Sequence, residues 1–313
     1  MSLGEKLLQA VVIVALFFAV VGVILVLTSK LRSRLGEIIQ SAAFLLPTLL
    51  LLSVGLLYPA ISTVRLSFRN NFDKLWVGFD NYKTIFTDSD LIRVLVNTAL
   101  WVIITPLVAT FVGLVYAVLV DRSRFEKTAK ALIFLPMAIS LVGASIIWKF
   151  VYDDNTGILN ALTDTFGLGR HHWLLSSPGN TLLLIVIFVW VQAGFATVVL
   201  SASIKAIPTD IVEAAKLDGV SGVRMFRYIT VPSIRPTLIV VLTAITITTL
   251  KVFDIVRTVT GGNFKTSVLA YEFYVQSFRS ANRGLGAALA VLIFVLVLPV
   301  VIYNVTQMRK VAR

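Results

Sequence analysis

Apolar residues run along this chain in long blocks rather than in alternation. Stretches free of Asp, Glu, Lys and Arg cover Leu7–Ser29, Ile38–Val64, Val94–Val120, Ala131–Trp148, Thr181–Ile204 and Gly284–Met308. Pro236–Leu250 is clean as well, and Lys251 and Asp254 then interrupt an apolar run that continues to about Val259. A helix needs about 20 mostly apolar residues to cross ~30 Å of hydrocarbon, which is the size of these blocks. Membrane strands would be about 10 residues long with period-two alternation, a pattern absent here. The expected fold is therefore all-α: a polytopic membrane helix bundle of about seven transmembrane helices, with no large soluble domain. The first block is longer than the 7–15 apolar residues of a signal peptide and lacks an A-x-A site, so it is read as a helix.

Composition agrees. Of 313 residues, 58% are hydrophobic and 14% charged, against about 45–50% and about 25% in soluble domains. There is no cysteine, which excludes a disulfide framework and a thiolate metal site. The net charge of +12 is first of all a topology signal. With the N-terminus outside, segments 29–37, 121–130, 205–236 and 307–313 fall inside, and they are denser in Lys and Arg than the longer outer segments. Nucleic acid is thereby an improbable partner, and the lipid bilayer the expected surroundings.

The longest inner segment, 205–236, is punctuated like two short helices. Pro208 ends the preceding span, and Asp210 with Glu213 has capping-box spacing. Gly219 suits the left-handed position that ends a helix. A second helix is expected from about Ser221 to Ile229, stopped by Pro232 and Pro236. Ala214 and Ala215 leave a thin surface that another backbone could approach. Two readings stand open: an elbow that docks on a partner in the cytosol, or a helix pair lying on the membrane interface.

The order Glu213-Ala214-Ala215, Asp218-Gly219, Ile229 and Pro232 resembles the EAA loop of ATP-binding cassette import permeases, with Val231 where that motif has Leu. Trp76-Val77-Gly78-Phe79-Asp80-Asn81-Tyr82, Asn97-Thr98, Leu135-Pro136, Gly157-Ile158-Leu159-Asn160, Trp173-Leu174 and Phe253-Asp254 are similar to the sugar-transporting branch. So is Thr260-Gly261-Gly262, although a residue and a proline of the usual segment are missing and Asn263 follows.

The resemblance covers residues 41–313. It implies residues 1–37 as an extra transmembrane helix with its inner loop. Residues 38–313 would be a six-helix permease domain carrying the coupling loop 205–236. It implies a multi-pass protein of the bacterial inner membrane, with the coupling loop and C-terminus cytoplasmic. The implied partners are an ATPase dimer, a second permease chain forming a heterodimer, and an extracytoplasmic solute-binding protein. Glu213, Ala214, Ala215, Asp218, Gly219, Ile229 and Pro232 would couple to the ATPase.

No Gly precedes a Lys, so the phosphate-loop motif is absent. No cofactor is expected in this chain, and ATP and Mg would be held by the partner ATPase. Nothing has hydrolase spacing, and no catalytic residue is expected.

A sugar site needs aromatic surface and a few amides or hydroxyls near mid-membrane. Phe188, Gln192 and Phe195 share one helical face, bordered by Val191; Thr246, Thr249 and Phe253 share another, flanked by Thr248 and Val252. The resemblance places Leu141, Phe188, Val191, Gln192, Phe195, Thr248, Thr249 and Val252 at lining positions for a di- or oligosaccharide such as an α-glucoside. Against this stands ordinary packing, with threonine hydroxyls bonded to their own i−4 carbonyls. Lys251 and Asp254, three apart, are expected to pair on one helix; the rival is an ion-coupled carrier that uses them as a relay. A polyol or glycerol phosphate as solute, and a scaffold without transport, are further alternatives. His171 and His172 stand in an outer loop with no acid evident nearby, which disfavours a metal site.

Overall fold

The computed structural model describes residues 3–28, 34–121 and 124–311. By its contacts the chain divides into two units, Met1–Arg65 and Leu66–Arg313.

In the first unit, α1 (Leu3–Thr28) covers the first apolar block, whose last residue, Ser29, lies outside the described residues. Lys30 and Arg32 of the expected inner loop lie outside them too. Then α2 (Arg34–Leu52) runs through a π turn, Ser53–Leu57, into α3 (Tyr58–Ser67). Leu45, Leu49, Leu51 and Val54 are exposed, as suits lipid or a partner helix.

The second unit begins with a tight hairpin bridged at Arg69 and Trp76. It continues with α4 (Asp80–Thr87), α5 (Ser89–Val120), α6 (Glu126–Phe134), a 3-10 turn at Leu135–Ala138, α7 (Leu141–Val151) and α8 (Ile158–Thr165). Then come α9 (Gly179–Lys205), α10 (Thr209–Leu217), α11 (Gly222–Met225), a π turn at Phe226–Thr230 and α12 (Val231–Leu250). It closes with α13 (Asp254–Val259), α14 (Leu269–Tyr274), which runs into a π turn at Val275–Arg279, and α15 (Arg283–Val311). Five described helices are long and apolar enough to cross a membrane: Phe44–Ser67, Ser89–Val120, Gly179–Lys205, Gly222–Leu250 and Arg283–Gln307.

The expected span Ala131–Trp148 is sharply bent, with two helices meeting at 100°. Pro136 cannot donate to a helical ladder, and Ser140 accepts from the Gly143 amide at 3.1 Å, capping a new helix in a new direction.

The most buried span is α9. Small residues let its neighbours reach its backbone. A Cβ on Gly113 of α5 would stand 2.5 Å from the Ala196 Cβ, and one on Gly194 of α9 would stand 2.5 Å from the Ile133 carbonyl oxygen of α6. Without a hydrophobic drive between helices in lipid, such close van der Waals packing is what holds spans together. Around α9 the core splits into a cluster of Trp101, Leu184, Phe188, Ile255 and Val256 at one end and one of Ala109, Ala196, Leu200, Ile234 and Val241 at the other.

Candidate functional site: a mid-bundle cavity and an exposed elbow

Helix α12 stops at Leu250, and Lys251, Val252 and Phe253 are not helical before α13 begins at Asp254. Non-helical backbone at membrane depth is tolerated where it is buried in protein or lines a cavity. A cavity of about 260 Å³ lies at this break, lined by Met137, Ile139, Leu141, Phe188, Val191, Gln192, Thr248, Lys251, Val252, Phe253 and Asp254. Six of the eight lining residues named from the sequence meet here, from α7, α9, α12 and the break.

The other two do not line it. The Thr249 side chain is buried and donates to the Ile245 carbonyl at 2.7 Å, and Phe195 packs against the Ala109–Leu200 cluster. Thr246 likewise bonds within its own helix, to Leu242.

The Gln192 amide is not an orphan. Its Nε2 donates to Thr248 Oγ1 at 3.0 Å, joining α9 to α12, while the Thr248 hydroxyl points to the Ile245 carbonyl at 2.9 Å. Phe188, Val191 and Val252 are buried and form the apolar wall. Phe188 stacks at a tilt on Trp101, with ring centroids 6.0 Å apart. Phe253 meets Tyr271 and Tyr274, and the Arg257 guanidinium lies over Phe253 and Tyr274.

Lys251 and Asp254 correct the expectation of a helical ion pair. Lys251 lies in the non-helical break and Asp254 opens α13, and no ion pair joins them among the described residues. Both line the cavity instead. Phe253, named on the second helical face, lines the cavity; Met137 and Ile139 were missed, although Pro136 and Ser140, which bracket the 3-10 turn, were a signal.

At the far end of α9 the elbow follows. Its first helix, α10, starts after Pro208 without a side-chain cap, so the expected Asp210–Glu213 capping box is not formed. The fixed φ of Pro208 sets the entry, and Asp210 sits inside the first turn, where a negative charge meets the positive helix end. Gly219 takes φ +74°, and the Val220 amide returns to the Ala215 carbonyl at 2.9 Å, as in a left-handed helix stop. The expected stop at Pro232 does not occur. Gly222–Leu250 is one continuous span, with the π turn just before Pro232 and the Ser233 hydroxyl donating to the Ile229 carbonyl. Glu213, Ala214, Asp218 and Gly219 are exposed, Ile229 is half-buried and Pro232 is exposed, but Ala215 is buried against its own chain. Leu217 is 89% and Val223 79% exposed, an apolar face with no cover.

Residues 109–312 match the family described as the binding-protein-dependent transport system inner membrane component. The chain belongs to that family. Among its relatives is the osmoprotective compounds uptake permease protein GgtC of Synechocystis, 42% identical over 272 residues, covering 85% of this chain and 98% of that one. Another is the alpha-glucoside transport system permease protein AglF of Rhizobium meliloti, 41% identical over 284 residues, covering 88% and 84%. In fold, the permease matches a bacterial ABC transporter involved in the import of the acidic polysaccharide alginate, with TM-score 0.78 and 24% identity over 90% of this chain and all of that one.

The motif residues of the permease that face away from the elbow are structural brackets. Asn81 Nδ2 donates to the Ser67 and Arg69 carbonyls, Asn97 Nδ2 to those of Lys265 and Ser267, and Asn160 Nδ2 to those of Asp154 and His171. The Thr260-Gly261-Gly262 turn forms without the usual proline. Both glycines take positive φ, and Asn263 Nδ2 donates to the Thr260 carbonyl at 3.0 Å. Asp154 lies 2.7 Å from His172 Nδ1, so the histidine loop does have an acid beside it. No group of three or more His, Cys, Asp and Glu able to hold a metal occurs among the described residues.

Proposed function

We propose that this permease forms the path of an ATP-driven, binding-protein-dependent importer for a sugar of the α-glucoside kind. The observation that carries the reading is the cavity at the α12 break. It offers Phe188 and Phe253 for a sugar ring face, and Gln192, Thr248, Lys251 and Asp254 for hydroxyls. The name of the relative AglF supports the solute class. At about 260 Å³ the cavity is smaller than the ~300–1,000 Å³ usual for ligand pockets. It suits one ring of a di- or oligosaccharide, with the rest held by a second permease chain.

The elbow is read as the cytoplasmic coupling loop, with the C-terminus on the same side and the N-terminus outside. An ATPase dimer would take Glu213, Gly219 and the bare Leu217 face and would itself hold ATP and Mg. Closure of that dimer would move the elbow and rock the spans between inward- and outward-open states. The test is uptake of a panel of labelled α-glucosides by a strain lacking this permease and by the complemented strain. Uptake restored by the chain, with a raised half-saturating concentration in Gln192→Leu, supports the reading. Uptake that survives ATP depletion but collapses with the proton or sodium gradient overturns it in favour of an ion-coupled carrier.

A further inference from the structure

Glu126 is the first residue of α6, and Lys205 is the last residue of α9, just before the elbow. Glu126 Oε1 accepts a hydrogen bond from Lys130 at 2.6 Å, one turn on in its own helix. The same oxygen also pairs with Lys205. The helix-internal partner would satisfy Glu126 alone, so the bond to Lys205 is an additional tie between two elements. Each charge also sits where its helix end favours it, a carboxylate at an N-terminus and an ammonium at a C-terminus. The carboxylate is mostly covered, with its side chain 19% exposed.

What α6 touches gives the tie a consequence. The Tyr116 hydroxyl of α5 donates to the Ala129 carbonyl at 2.8 Å. Gly194 of α9 lets the Ile133 carbonyl come against its backbone. Past Phe134 the 3-10 turn delivers Met137 and then Ile139 to the cavity wall. Helix α6 is thus a strut lying along α9, with the root of the elbow at one end and the cavity at the other.

We propose that Glu126 is a positioning residue that clasps this strut to Lys205, so that a pull on α10 reaches the cavity wall at Met137 and Ile139. The coupling half of this inference rests on the importer reading above; the clasp itself does not. Two measurements separate them. In the complex purified with its ATPase and binding protein and placed in proteoliposomes, maltose uptake per ATP hydrolysed is expected to fall at least fivefold in Glu126→Gln and in Lys205→Met. It is expected to stay near wild type in Lys205→Arg, which keeps the cation. In the purified chain alone, amide hydrogen exchange across Glu126–Phe134 is expected to rise at least fivefold in Lys205→Met and not in Lys205→Arg. Wild-type exchange and wild-type coupling in Lys205→Met would overturn the proposal. So would equal losses in Lys205→Met and Lys205→Arg, or failure of Glu126→Gln to assemble, which would make the residue merely structural. A wild-type complex without binding-protein-stimulated ATP hydrolysis would defeat the importer reading, and the exchange experiment would still decide the clasp.

Discussion

The two ends of α9 handle their polar groups in opposite ways. At the Gly179 end, Asn81, Asn97, Asn160 and Asn180 each place one side-chain amide on two backbone carbonyls, and Asn160 also accepts the Trp173 indole N–H at 2.7 Å. Those amides hold the loop backbone there, although Phe166 and Leu168 are exposed as well. At the Lys205 end, Glu213 and Asp218 are exposed and their side chains have no partner among the described residues, while Leu217 and Val223 stand bare. A loop that satisfies itself is built to hold shape. A loop that leaves charges and apolar surface open is built to meet something else.

The sharpest way to break this contrast is the pair Glu213→Lys with Gly219→Arg. Uptake and ATPase association are expected to be lost, while stability to thermal unfolding falls only by the strain of Arg at φ +74°, about 1–2 kcal/mol, because both positions are exposed. The mirror experiment is Asn160→Ala. It strands two carbonyls, the His171 amide and an indole N–H, each costing about 1–3 kcal/mol if buried without a partner. Thermal stability in detergent is expected to fall while ATPase binding persists. Gln192→Leu, between the two ends, is expected to raise the half-saturating solute concentration about tenfold, equivalent to ~1.4 kcal/mol, without disturbing assembly.

The smallest effect belongs to Asp153. The Thr156 amide and hydroxyl and the Asn155 amide hold its carboxyl below the usual range. Its contribution to the loop is therefore fully present above about pH 4, the ordinary aspartate value, and is lost as pH falls through the lower folded value. The small stability gap between wild type and Asp153→Asn, read by thermal unfolding, is expected to be constant from pH 7 to about 5 and to close in stronger acid.

Much of this was legible in the residues. Long charge-free blocks give the spans, because lipid forbids unsatisfied backbone and rewards apolar length. Gly219 marks the elbow, because only that residue takes φ +74° without strain. Six lining residues followed from helical spacing and the family resemblance. Three things were not legible. A proline pattern does not say whether the chain bends, as by 100° at Pro136, or continues, as after the π turn before Pro232. The spacing of Lys251 and Asp254 reads as a helical pair, because nothing local announces that α12 ends at Leu250 and that α13 starts only at Asp254. Ala215 looks like docking surface until the fold turns it inward.

The central claim is that the bare elbow meets an ATPase. The chain has no cysteine, so a single photo-crosslinker attached at Leu217→Cys reports on one place only. In membranes of the native host, the expected product is one adduct with a protein that carries a phosphate-loop sequence, its yield changing when ATP is added. Labelling of lipid alone, with no protein adduct under either condition, would contradict the account and leave the elbow as a helix pair resting on the bilayer.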